Sequence, residues 1–174
     1  AVEVADLTTS LDAPSPILAG EDGSFTVVVD NGGANRYNLG LAVLVPNGLT
    51  SGAATTDQGG AVGMPRVIPS GSLGSGQPPT GYQLWVWEDV SDLPAGADVH
   101  LQVPFTPSPA VFPVGSTIEI VATSHTSSNP TYRPVFPGST GVGGSAAEAA
   151  TASSAQVDAE VDVTALRLEK AQVT

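Results

Sequence analysis

The sequence has 174 residues and a formal net charge of −12, with five Lys and Arg residues against 17 Asp and Glu residues. So few cations exclude a nucleic-acid-binding protein, because phosphate backbones are bound by clustered lysine and arginine. Anionic membrane surfaces are disfavoured for the same reason. The absence of cysteine excludes disulfides, thiolate metal sites and a cysteine nucleophile. No apolar run approaches the roughly 20 residues that cross a bilayer, so we expect no membrane span.

Apolar residues alternate with polar ones along much of the chain, a period typical of strands with one buried face. Turn residues such as Asn31-Gly32-Gly33 and Asn47-Gly48 end these runs, because glycine and asparagine accept positive φ angles. The predicted strands are residues 2–11, 24–31, 39–49, 82–90, 97–106, 117–126 and 157–170. The predicted inward residues include Phe25, Val27, Val29, Val99, Leu101, Val103, Phe105, Ile118, Ile120 and Ala122.

Two segments interrupt this pattern. Residues 46–81 are rich in glycine and proline and form a long insertion, in which we expect one or two short strands around residues 64–68. Residues 138–156 are rich in Gly, Ser and Ala and contain either a short helix or a small-residue strand. Seven or more strands with turns between them and no convincing amphipathic helix predict an all-β, antiparallel β-sandwich.

The two ends of the chain carry similar short sequences. VEVADL at residues 2–7 is matched by VDVTAL at residues 161–166. We therefore predict a sandwich domain over residues 1–156, followed at 157–174 by the first strand of a next repeat or by a strand donated to a neighbouring subunit. The candidate assembly residues are Val157, Val161, Val163 and Leu166, with Val2, Val4 and Leu7 as the alternative set.

Several motifs carry a family resemblance. They are Ala5-Asp6-Leu7, Ala19-Gly20-Glu21, the strand 26–29 before Asn31-Gly32-Gly33, Val45-Pro46-Asn47-Gly48-Leu49 and Leu93-Pro94-Ala95-Gly96. Together they resemble the conserved Ig-like tandem repeat domain of Gram-positive bacterial cell-surface proteins. The resemblance implies an Ig-like fold and an extracellular stalk, adhesin or fibre module that contacts neighbouring copies and has no known catalysis. The insertion at 46–81 departs from the family pattern.

Candidate polar sites are few. His100 and His125 are predicted to face solvent, and neither has the spacing of a zinc site. No nucleophile or phosphate-binding motif appears, so we do not expect an enzyme. Calcium is the one cofactor that the sequence suggests, at Glu88, Asp89 and Asp92, although solvated turn carboxylates are the alternative interpretation.

The strand at 82–90 is the most aromatic. Trp85 and Trp87 share one face of it, whereas Tyr82 lies on the other face with Leu84 and Val86. Tyr82, Trp85 and Trp87 suggest a platform on which a host or cell-wall glycan stacks, which would make the protein a carbohydrate-binding module. In the alternative interpretation this strand is central and both of its faces are covered.

Overall fold

The computed structural model describes residues 7–13, 17–18, 20–71, 78–127 and 149–162. Within this part of the chain no helix is long and apolar enough to cross a membrane. The described residues form β1 (Leu7–Asp12), β2 (Ile17–Leu18), β3 (Gly23–Asn31), β4 (Tyr37–Pro46), β5 (Leu49–Ser51), β6 (Ala54–Thr56), β7 (Ala61–Gly63), β8 (Arg66–Pro69), β9 (Tyr82–Trp87), β10 (Asp98–Pro107), β11 (Thr117–Ser127) and β12 (Ala149–Asp162).

These strands build two six-stranded sheets. The first sheet has the order β1-β3-β10-β6-β7, and β5 also pairs with β10. The second sheet has the order β2-β12-β11-β4-β9-β8. The pairs are antiparallel except β2 with β12, which run parallel. The neighbours β1-β3-β10-β6 and β12-β11-β4 match strands A-B-E-D and G-F-C of immunoglobulin domains. The predicted all-β, Ig-like sandwich is therefore confirmed.

The core lies between the sheets and is filled by alternate residues of the long strands. Phe25 connects the two layers, because its ring stacks on Trp85 with centroids 6.4 Å apart and contacts Phe105 at 5.9 Å. The predicted inward residues of β3, β10 and β11 are all buried: Phe25, Val27, Val29, Val99, Leu101, Val103, Phe105, Ile118, Ile120 and Ala122. Period-two alternation thus identified this part of the core correctly.

The insertion at 46–81 contains more strands than the one or two expected. In its described part β5, β6 and β7 join the first sheet and β8 joins the second. The predicted Asn47-Gly48 turn is confirmed, since Gly48 has a φ of +100° between β4 and β5. A Cβ at Gly48 would lie 2.8 Å from Val111, so this turn requires glycine for space as well as for its backbone conformation.

The C-terminal strand begins earlier than expected. Residues 149–156, for which the sequence allowed a helix or a strand, are the first part of β12. The position of the predicted domain boundary, between 156 and 157, falls inside this strand. Val157 lies opposite Ile120 and Val161 lies opposite Ile17, so both residues belong to the second sheet of their own chain.

Candidate functional site

The aromatic strand β9 lies in the interior of the second sheet, between β4 and β8. Trp85 is 1% exposed and Trp87 is 4% exposed, and both belong to the core cluster. Tyr82 is half-buried at the other end of the strand, opposite Pro46. A sugar ring needs an accessible aromatic face, which neither indole provides. This corrects the glycan-platform interpretation and favours the alternative of a central strand.

The opposite face of β9 is also covered. Val86 is 2% exposed and forms a small second cluster with Ala42 and Ile68, against which Leu84 packs. An antiparallel sheet ordinarily presents polar residues on its outer face, so this apolar cluster is a second, smaller core. It explains why both faces of the β9 sequence are apolar.

The predicted calcium residues do not converge on one point. Glu88 accepts a hydrogen bond from Arg66 at 2.6 Å, in a salt bridge on the surface. Asp92 accepts a hydrogen bond from the backbone N–H of Asn38 at 3.0 Å, while Asp89 is exposed. Among the described residues, no three metal-ligating side chains are grouped as a metal site would require. The geometry therefore gives the calcium prediction no support.

A shallow depression of about 250 Å³ lies beside the Arg66–Glu88 salt bridge. It is open to solvent, and its lining residues are Val62, Met64, Arg66, Val86, Trp87, Glu88 and Asp89. The side chains of Arg66 and Glu88 are 37% and 39% exposed, so their attraction is screened by water. An open depression with one screened ion pair lacks the enclosure that small-molecule sites provide.

The two histidines differ in their surroundings. His100 is exposed as predicted and pairs with Asp98 at 2.9 Å. His125 lies on β11 between Gly40 of β4 and Ala152 of β12, on the face of the strand that points away from the core, and it is half-buried. Desolvation by this burial lowers the pKa of His125 below its usual value of 6.5.

The lowered pKa of His125 predicts a loss of stability in acid. Between the lowered pKa and 6.5 the unfolded chain binds a proton that the folded chain does not, so the free energy of unfolding decreases as the pH falls below 6.5. We expect His125→Gln to weaken this pH dependence, measured by urea unfolding at about pH 7.5 and about pH 5.5. His100→Gln, which removes an exposed imidazole, is the matched control. The prediction would be contradicted if the free energy of unfolding of His125→Gln fell with pH as steeply as that of the unmodified chain.

Asn31 has a structural role that the sequence did not reveal. It was identified only as a turn residue, yet it ends β3 with 0% exposure. Its Nδ2 donates to the carbonyl oxygens of Ala34, Leu93 and Pro94 at 2.8, 3.0 and 3.1 Å, and its Oδ1 accepts from the N–H of Gly33 at 3.1 Å. One buried amide thus joins two loops at one end of the sandwich. We call this end, which also contains Ser127, the Asn31 end.

The opposite end of the sandwich contains the first residue of β11, and we call it the Thr117 end. The described chain enters β1 at the Asn31 end, where Leu7 pairs with Asn31 and is 3% exposed. It leaves β12 at the Thr117 end, where Glu160 pairs with Thr117. β1 and β12 lie side by side and run in the same direction, in different sheets. The described chain therefore begins β1 and ends β12 at opposite ends of the sandwich.

The structure describes three of the seven candidate assembly residues. Val2, Val4, Val163 and Leu166 lie outside the described residues. Leu7, Val157 and Val161 pair within their own chain. That the segment 157–174 begins a next repeat or is donated to a neighbour stays a prediction.

No protein-family model and no curated protein matches the sequence. Solved structures do match the fold. AvmM, described as catalysing macrocyclization in alchivemycin A biosynthesis, gives a TM-score of 0.63 at 12% identity over 92% of this chain and 91% of AvmM. BcpA, the major pilin subunit of Bacillus cereus, gives 0.48 at 12% identity over 91% of this chain and 40% of the pilin. A cohesin module from Clostridium perfringens gives 0.48 at 8% identity over 92% of this chain and all (100%) of the module. At these identities the similarity concerns the fold alone.

Proposed function

We propose that this chain is a structural or adhesive module of an extracellular surface protein or filament. Its partners in this proposal are neighbouring copies of the same domain, and it performs no catalysis. The observation that carries the proposal is the path of the chain, which enters at the Asn31 end and leaves at the Thr117 end. Modules with this path can follow one another in a line, as the resemblance to tandem surface repeats implies.

The same path determines how the domain would respond to tension. A pull on the chain before Leu7 acts along β1, and a pull after Asp162 acts along β12 in the opposite direction. Hydrogen bonds in antiparallel ladders are perpendicular to the strands. Tension therefore shears the β1–β3 and β11–β12 ladders as units instead of opening them one pair at a time. This geometry suits a module that transmits force.

Single-molecule pulling tests the proposal. Because the chain has no cysteine, added cysteines supply unique attachment points. One geometry uses cysteines added at the two chain termini. The other uses Ser116→Cys with the same C-terminal cysteine, so that the tension after Asp162 and the tension at Ser116 both act at the Thr117 end and peel β12 from β11, beginning at the pair Thr117–Glu160. We expect the end-to-end geometry to unfold at a force several-fold higher.

The comparison is internal to one protein, so differences in overall stability do not affect it. Equal rupture forces in the two geometries, or a lower force for end-to-end pulling, would remove the physical basis of the proposal. Negative-stain electron microscopy of the purified chain provides a second readout, because fibres are expected only if copies also associate end to end without a covalent linkage.

A further inference from the structure

The edges of the two sheets are not equally protected. β7 has three residues, and β8 is bounded by Pro65 and Pro69. Short strands and prolines at sheet edges prevent pairing with other chains. β12 has 14 residues and no proline. The other edge strand of the first sheet, β1, has six residues, so β12 offers the longest edge for a further strand.

One side of β12 has no partner in the described part of the chain over most of its length. β11 pairs with β12 on one side between Ala149 and Glu160. On the other side β2 pairs only with Val161 and Asp162. β1 lies alongside but pairs with β3 in the first sheet. Among the described residues, the backbone N–H and C=O groups on this side of Ala149–Glu160 have no ladder partner and are able to pair with an added strand.

We propose that Ala149–Glu160 pairs antiparallel with the same segment of a second copy of this chain. The second sheets of the two copies then form one continuous sheet across a two-fold axis. This inference deepens the proposed function by naming the surface through which neighbouring copies meet. Pairing through this edge is lateral, so it joins two modules side by side.

The distribution of charge favours this partner and this direction. Within Ala149–Glu160 the acidic residues, Asp158 and Glu160, are confined to the last three positions, and the rest is uncharged. Parallel in-register pairing would place Asp158 opposite Asp158, which is destabilising. Antiparallel pairing places Asp158 of each copy opposite an uncharged residue of the other.

The register of this pairing is restricted to two choices. Residues that lie directly opposite each other must share a face of the continuous sheet. The two-fold axis therefore lies between one residue and the same residue of the other copy. If the two copies of Ala149–Glu160 overlap over nearly their whole length, the residue on the axis is Ser154 or Ala155. Asp158 then lies opposite Ala150 in the first register and opposite Ala152 in the second.

Cysteine cross-linking tests both registers. The residue on the axis faces itself at a Cα–Cα distance of about 4.5–5.5 Å, which is within the range of a disulfide. We expect Ser154→Cys or Ala155→Cys to form a covalent dimer under mild oxidation in the full chain. Thr80→Cys, at an exposed position before β9, is the control and should stay monomeric. Circular dichroism melting verifies that each variant is folded.

Sedimentation of the unmodified chain provides an independent readout. Each copy carries a net charge of −12, so screening by salt should strengthen association. If Ala155→Cys cross-links, Ala152→Asp should weaken association of the otherwise unmodified chain by roughly tenfold. The new carboxylate then lies opposite Asp158 of the other copy, and the two-fold symmetry repeats this repulsion at a second point. If Ser154→Cys cross-links instead, Ala150→Asp is the corresponding variant.

The inference is overturned if neither cysteine variant dimerises, or if the unmodified chain stays monomeric at high protein and salt concentrations. Either result would mean that Ala149–Glu160 does not pair with a second copy of the chain. The pulling experiment uses single molecules, so failure of lateral pairing leaves its result unchanged. Conversely, the cysteine variants could form a covalent dimer while the domain unfolds at equal force in both pulling geometries. That result would support the pairing and contradict the proposed mechanical function.

Discussion

Replacing Trp85 by alanine is expected to lower the free energy of unfolding by about 3–5 kcal/mol, the range for removing a buried aromatic side chain. Trp85 is 1% exposed and stacks on Phe25 of the opposite sheet, with an angle of 14° between the ring planes. Its removal leaves a cavity at the contact between the two sheets. Since native proteins have only about 5–15 kcal/mol of stability, this loss is a large part of the total.

The control for this prediction is one of the two residues that pair with Trp85 in the sheet. Val67 of β8 pairs with Trp85 but is 49% exposed, so Val67→Ala should change stability by less than about 0.5 kcal/mol. Trp85→Phe keeps an aromatic ring and should cost less than Trp85→Ala, which makes the effect measurable if the alanine variant does not fold. Urea denaturation gives all three values. A loss below about 1 kcal/mol for Trp85→Ala would contradict the packing described for this ring.

The sequence predicted the faces of the long strands better than it predicted their partners. In β3 the alternation of Phe25, Val27 and Val29 with more polar residues is a local signal, and the structure confirms it. Pairing is determined by contacts between distant segments. β9, for example, pairs with β4 across the whole insertion, and β2 crosses to the sheet opposite β1. No local pattern encodes either pairing.

The candidate site was harder to predict for a related reason. Trp85 and Trp87 fit either an exposed platform or a central strand, because the residues on both faces of β9 are apolar. The choice depends on Phe25, which lies on the opposite sheet and stacks on Trp85. Adjacent acidic residues such as Glu88 and Asp92 are equally ambiguous, since their separate partners, Arg66 and Asn38, are distant in sequence.

Asn31 is the clearest case of a residue whose role depends on distant partners. In the sequence it precedes two glycines and indicates a turn. In the structure its amide contacts the carbonyls of Leu93 and Pro94, which are 62 and 63 residues away. These bonds connect the end of β3 to the segment before β10. They hold together the end of the sandwich at which the chain enters the domain.

Asn31→Asp should therefore be strongly destabilising even though it changes the shape of the side chain very little. The new oxygen replaces Nδ2 and faces the carbonyl oxygens of Ala34, Leu93 and Pro94, so the donors are lost and a charge is buried with no cation beside it and only the Gly33 N–H donating to it. We expect a loss of about 3–5 kcal/mol at neutral pH, the cost of an uncompensated buried charge. Burial raises the pKa of the introduced carboxyl group. The deficit relative to the unmodified chain should then shrink as the pH falls and the acid becomes protonated, because the neutral form can donate one hydrogen bond.

Asn35→Asp is the matched control for this prediction. Asn35 is exposed and uses its Oδ1 to accept a hydrogen bond from the N–H of Ala95 at 2.9 Å, an interaction that aspartate retains. Its substitution should change stability by less than about 0.5 kcal/mol. Unfolding in urea at neutral and acidic pH distinguishes the two positions. If Asn31→Asp were no more destabilising than Asn35→Asp, or if its deficit grew in acid, the buried amide would not be what joins β3 to the segment before β10, and the rigidity of the Asn31 end under tension would need another source.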